Sequence, residues 1–178
     1  MTDETLVKEC LSGNAIKQRE LFERFSPLMM GVAMRYMKDV EQAEDVLQDG
    51  FIKVFNNLHR FENKGSLEGW IRRIIVNTAL DQIRKNKKYR SDVELEDSSL
   101  LVAQNDNVES QLQAEVLLKI VQELPDGYRM VFNMYAIEGY SHKEIAEQLE
   151  ISESTSKSQY SRAKAFLRDL LEKYNIER

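Results

Sequence analysis

At 178 residues the chain is long enough for one ordinary domain or two small helical ones, and 42% apolar with 31% charged residues is the balance of a soluble globular protein. Seven Gly and two Pro punctuate it too sparsely for a many-turned β fold and favour long helices. A net charge of −5 argues against a protein that grips nucleic acid unaided, so the placement of charge along the chain carries more weight than its sum.

Asn14 is placed to cap a helix whose apolar positions, Ile16, Leu21, Phe22, Phe25, Leu28, Met29, Val32, Ala33, Tyr36 and Met37, recur every three or four residues. Pro27 is positioned to kink or divide it. Asp39 caps a second helix carrying Val40, Ala43, Val46, Leu47, Phe51, Val54, Phe55 and Leu58 at the same spacing. A polar loop from His59 to Gly65 leads to Ser66, the cap of a third long helix through Trp70, Ile71, Ile74, Ile75, Ala79, Leu80 and Ile83. That helix runs into a basic tail (Arg84, Lys85, Lys87, Lys88, Arg90). Residues 91–107 lose periodicity and fill with Asp, Glu, Ser and Asn, a linker composition.

Regular apolar spacing resumes at Val108 and continues to Leu124. Pro125 opens a further helix that Gly139 closes. Ser141-His142-Lys143-Glu144 has the form of a capping box, and Ser152 caps a last helix reaching about Tyr174. The expected fold is therefore all-α: two small helical domains, residues 1–90 and 108–178, joined by a flexible acidic linker. Two basic stripes around an acidic stretch point to two nucleic-acid-facing surfaces, although charge runs of this kind also fit ordinary solvated faces.

The single cysteine, Cys10, excludes an internal disulfide, and a His-based site would have to recruit His59 and His142 from distant segments. No cofactor is expected. The start at Met1 has no basic leader and no apolar run approaches membrane length, so a cytoplasmic, non-inserted protein is expected.

The stretch from Ser141 onward has the format of a DNA-reading helix-turn-helix. A short helix turns Ile145, Ala146 and Leu149 inward, Glu150 and Ile151 form the turn, and the second helix buries Tyr160, Ala163 and Leu167. Its outer face offers Thr155, Lys157, Ser158, Ser161, Arg162 and Lys164 for phosphates and base edges, with His142 and Lys143 beside them.

At this point the residues resemble a known family. LPDGYRMVFNMYAIEGYSHKEIAEQLEISESTSKSQYSRAKAFL, from Leu124, is similar to region 4 of the extracytoplasmic-function sigma factors. AEDVLQDGFIKVFNNL from Ala43 and GWIRRIIVNTALDQIRKNKK from Gly69 are similar to their region 2. The resemblance implies a non-enzymatic subunit that binds core RNA polymerase through the β′ clamp helices and the β flap, melts the minus-ten promoter element and reads the minus-thirty-five element. It also implies an anti-sigma partner, usually membrane-tethered.

Carried onto this chain, the resemblance gives core-polymerase binding to Asp45, Gln48, Asp49 and Ile52, one helical stripe at spacings of zero, three, four and seven. The minus-ten surface becomes the loop with Phe61, Asn63 and Lys64, together with Arg72, Arg73, Asn77, Arg84, Lys87 and Lys88. Asn77 would meet a flipped base, and its amide can read a base edge in both directions. Trp70 is read as core rather than as a stacking platform. Two departures stand out: Glu150 replaces a turn glycine, and Ser154-Thr155-Ser156 replaces Gly-Thr-Val, with a hydroxyl at the packed valine position.

Two other classes fit the sequence less well. An autonomous helix-turn-helix regulator, dimeric on a palindrome, would need a sensing or dimerising domain that nothing between Met1 and Lys88 resembles. A helical hydrolase using Glu41, Glu44, Asp45 and Asp49 would need a Glu-x-x-His pair, which is absent from the sequence.

Overall fold

The computed structural model describes residues 2–91 and 109–174, with side chains at 2–86 and 113–174. The linker at 92–107 lies outside the described residues. Contacts divide the chain into two units, Met1–Lys85 and Asn86–Arg178, and among the described residues every regular element is helical.

In the first unit, α1 (Asp3–Leu11), α2 (Ala15–Tyr36), α3 (Val40–Asn57) and the greater part of α4 (Leu67–Ser91) follow one another, with a short 3₁₀ turn at Leu58–Arg60. Each starts where a side chain can satisfy an otherwise unpaired amide. Asn14 Oδ1 accepts from the Ile16 and Lys17 N–H groups at 3.2 and 3.3 Å, Asp39 Oδ1 from Gln42 N–H at 2.8 Å, and Ser66 Oγ from Gly69 N–H at 3.0 Å. Leu21, Phe25, Met29, Val32 and Tyr36 of α2 are buried with Val46, Phe51 and Val54 of α3 and with Leu67, Ile71, Ile75 and Leu80 of α4. Gly50 lies where α3 meets Ile75, and a methyl group there would collide with the Ile75 side chain.

Three features differ from the sequence expectation. Helix α1 precedes the first expected element and buries Leu6, Val7 and Cys10. Helix α2 runs through Pro27 unbroken. Both Pro27 and Glu23, whose carbonyl loses its partner, are exposed, so water can take the place of the missing N–H. Finally, Ile16, Phe22, Leu28 and Val40 do not join the core; Ile16 is 77% exposed.

In the second unit, α5 (Glu109–Gln122), α6 (Asp126–Phe132), a π-helical turn at Asn133–Ile137, α7 (His142–Leu149) and α8 (Glu153–Lys173) pack around Ile120, Leu124, Val131, Met134, Ile145, Ala163 and Leu170. Gly139, at φ +78°, ends the α6 segment as expected, because that backbone is costly for a residue with a Cβ. Pro125 occupies the cap position just before α6.

Arg129 is the least expected core residue. Its side chain is 2% exposed, and its guanidinium donates to Leu124 O at 2.7 Å and to Gln122 O at 3.4 Å while pairing with Asp126 at 2.9 Å. Burial works against the charged form and lowers its pKa, with Asp126 opposing that shift. One cation thus satisfies carbonyls at the end of α5 and ties them to the first turn of α6. Arg129→Leu strands these acceptors, and a loss of about 2–4 kcal/mol is expected, read from denaturant unfolding of the second unit.

Candidate nucleic-acid and protein interfaces

On α3 the side chains of Asp45, Gln48, Asp49 and Ile52 are all exposed on one stripe; Ile52, an apolar residue, is 53% exposed. Beside them opens a groove of about 450 Å³ lined by Phe22, Glu44, Leu47, Gln48, Phe51, Ile52 and Phe55. The Phe22 ring meets Phe51 edge-on at 4.8 Å, and Phe51 lies 6.4 Å from Phe55. Sequence periodicity assigns Phe22, Leu47, Phe51 and Phe55 to the core; Phe51 is buried there and also lines the slot, Leu47 and Phe55 are half-buried, and Phe22 is exposed. The signal for the slot was the surplus of aromatic side chains next to the polar stripe. An apolar slot with an acidic rim suits a helical partner that brings an apolar side chain and basic neighbours. Among the described residues, no three His, Cys, Asp or Glu side chains converge to hold a metal ion.

The loop between the 3₁₀ turn and α4 is shaped by Asn63 at φ 56° and Gly65 at φ 98°. Phe61 is 9% exposed and packs on Trp70 at 5.6 Å between ring centroids, so it supports the loop from beneath instead of presenting its ring outward. Trp70, expected in the core, is only half-buried. The loop's outer side carries Asn63 and Lys64, and Lys64 pairs with Glu62 at 2.6 Å in the open, a contact of little energetic weight.

On α4, Arg73 and Asn77 are exposed one turn apart. Arg84, seven residues beyond Asn77, belongs to the same stripe and pairs with Asp81 at 3.2 Å. Arg72 is held by Glu68 at 3.2 Å. These exposed pairs can be exchanged for phosphates at small cost. The Lys87 and Lys88 side chains lie outside the described residues.

The second unit contains the expected helix-turn-helix. Ser141 Oγ accepts from Glu144 N–H at 3.2 Å while Glu144 accepts from Ser141 N–H at 2.8 Å, completing the capping box of α7. Ser152 Oγ accepts from Thr155 N–H at 3.0 Å and starts α8. Glu150 sits between them at φ 55° and ψ 42°, the left-handed conformation that favours glycine.

Around α8, Lys157, Ser158, Ser161, Arg162 and Lys164 are exposed, as is Lys143 on α7, while Thr155 is half-buried. Lys157 pairs with Glu153 at 2.7 Å, and Lys164 lies over the Tyr160 ring at 4.8 Å. Ala163 is buried as expected; Tyr160 and Leu167 are half-buried.

His142 is half-buried. Its Nδ1 lies 2.9 Å from Ser156 Oγ, and its ring stacks on Tyr135 at 4.2 Å with 12° between planes. Desolvation lowers its pKa, reinforced by Lys157 and opposed by Glu153.

The chain is similar to known proteins in both units. The Sigma-70 region 2 family matches residues 21–89, and the Sigma-70, region 4 family matches residues 114–167. The class is thus that of a bacterial sigma-70-type protein with two of its conserved regions in order. An ECF RNA polymerase sigma factor, SigE of Mycolicibacterium smegmatis, is 31% identical over 163 residues, covering 89% of this chain and 63% of that protein. The RNA polymerase sigma-H factor of Pseudomonas aeruginosa is 27% identical, covering 91% of this chain and 90% of the relative. SigW, an ECF RNA polymerase sigma factor of Bacillus subtilis, is 27% identical, with 93% and 94% covered. The chain belongs to the ECF sigma factors.

Two solved structures share the fold. The sigma factor RpoE of Bartonella quintana, in complex with the anti-sigma factor NepR, aligns at a TM-score of 0.56 with 23% identity over 90% of this chain and 98% of that one. CnrH, in complex with the cytosolic domain of CnrY, aligns at 0.53 with 24% identity over 96% and 97%.

Two outcomes follow from the second unit. Glu150→Gly removes a left-handed side-chain penalty and is expected to stabilise the protein by about 1 kcal/mol, measured by chemical denaturation. His142, with its folded pKa below the unfolded value of about 6.5, binds a proton later than the unfolded chain as pH falls. Stability therefore declines as pH drops through that range. His142→Phe is expected to flatten the fall in melting temperature between about pH 7.5 and 5.5.

Proposed function

We propose that this chain is a sigma factor that binds core RNA polymerase and directs promoter-specific initiation, with residues 1–90 docking and melting the minus-ten element and residues 108–178 reading the minus-thirty-five element. The observation that carries the proposal is the ordered match of regions 2 and 4 in one chain. Asp45, Gln48, Asp49 and Ile52, with the adjoining groove, form the face for the polymerase β′ clamp helices. The second unit engages the β flap.

Asn63 and Lys64 of the loop, with Arg72, Arg73, Asn77, Arg84, Lys87 and Lys88 of α4, receive the melted minus-ten strand, and Phe61 holds the loop's shape. Thr155, Lys157, Ser158, Ser161, Arg162 and Lys164, with Lys143, face the upstream duplex. The protein works as a non-enzymatic, cytoplasmic subunit. Among the described residues no helix is long and apolar enough to cross a membrane. The net charge of −5 fits a protein whose DNA affinity emerges only on the polymerase.

An anti-sigma factor is the expected negative regulator. Support comes from the fold shared with a sigma factor bound to NepR and with CnrH bound to the cytosolic domain of CnrY.

In vitro transcription with core polymerase, the full chain and a pool of templates tests the reading: specific run-off products are expected, and their absence on every template refutes it. Asn77→Ala is expected to reduce open-complex formation, followed by permanganate reactivity, while co-purification with core polymerase is unchanged. An equal loss of both would assign Asn77 a structural role.

A further inference from the structure

We propose that the His142–Ser156 hydrogen bond is a specificity determinant: it sets the roll of α8 against α7, and so decides which side chains of α8 face the DNA. The inference rests on the reading of α8 as a duplex-reading helix and adds a residue role within it.

Ser156 is fully buried, at 0% exposure, in the fourth position of α8. A serine there adds little apolar packing of its own, so the contact between the two helices depends on where its hydroxyl finds a partner. That partner is His142, the first residue of α7, fourteen positions earlier. The imidazole is in turn braced from the π-helical turn by Tyr135 at 4.2 Å, and Tyr160, one turn beyond Ser156, stands 4.6 Å from Tyr135 and 5.9 Å from the imidazole. A single directional bond is thus embedded in an aromatic cluster drawn from three elements.

The consequence is angular. Successive residues on a helix are about 100° apart, so Thr155 and Lys157 lie on either side of the anchored Ser156, and Ser158 follows. Any rotation of α8 that moves Ser156 off His142 carries these side chains around the axis with it. His142 is accordingly a positioning residue rather than a base contact.

The test uses the full chain with core polymerase and templates randomised in the upstream element, and compares the selected bases among variants. His142→Phe keeps a ring for Tyr135 but loses the bond; His142→Asn loses the ring but keeps an amide near the Nδ1 position; Ser156→Val removes the hydroxyl and fills the buried site. His142→Phe and Ser156→Val are each expected to change the preference at one or more positions by about tenfold, within the range one good base contact discriminates. His142→Asn should keep the wild-type preference. The double variant His142→Phe/Ser156→Val should shift no further than either single, because one bond is lost only once.

Thermal melting of each variant establishes that it is folded; should His142→Phe fail to fold, Ser156→Val and His142→Asn still decide. Unchanged preference in Ser156→Val, or additive shifts in the double variant, overturns the proposal, as does a shift in His142→Asn alone. A wild-type chain that transcribes but selects no upstream bases overturns it together with the reading of α8. A chain that starts no transcription at all sinks the sigma-factor function itself.

Discussion

A small helical unit can hide little apolar surface, so the unpaired amides and carbonyls at its helix ends weigh heavily against it. This protein meets the constraint with side chains close at hand. Asn14, Asp39, Ser66, Ser141 and Ser152 each cover the start of a helix, and Arg129 covers the end of α5 from within the core. A buried guanidinium is unfavourable unless its hydrogen bonds are made, and here two carbonyls and a carboxylate receive it. The cores can stay small because polar ends do not compete with them.

The same economy frees the outer surfaces for recognition. On α3 the inward residues Ala43, Val46, Gly50 and Val54 hold the bundle, while the stripe from Asp45 to Ile52 remains available to a partner. On α8 the division is narrower: Ser156 and Ala163 are buried, while Lys157, Ser158, Ser161 and Arg162 between them carry charge and hydroxyls outward. Recognition and packing alternate residue by residue, so a shift in packing there is also a shift in what is presented.

Much of this was legible in the sequence. The caps of α2, α3, α4, α7 and α8 were readable because Ser, Asn and Asp act through local geometry. The left-handed turn at Glu150 was readable as a residue standing where glycine is favoured. Helix α1 was missed because Asp3, Glu4, Lys8 and Glu9 look like a solvated tail, and only packing of Leu6 and Val7 into the bundle decides otherwise. Ile16 and Leu28 repeat at core spacing, but periodicity does not say whether a neighbouring helix covers that side. Ser156 stands out in the sequence as a departure, but its partner, His142, is set by tertiary geometry that local spacing does not carry.

The half-buried Trp70, resting on Phe61 beneath the 61–66 loop, is the chain's one tryptophan. Its emission is therefore a built-in optical label placed at that loop. Changes at that loop can be followed in the isolated protein without attaching a dye.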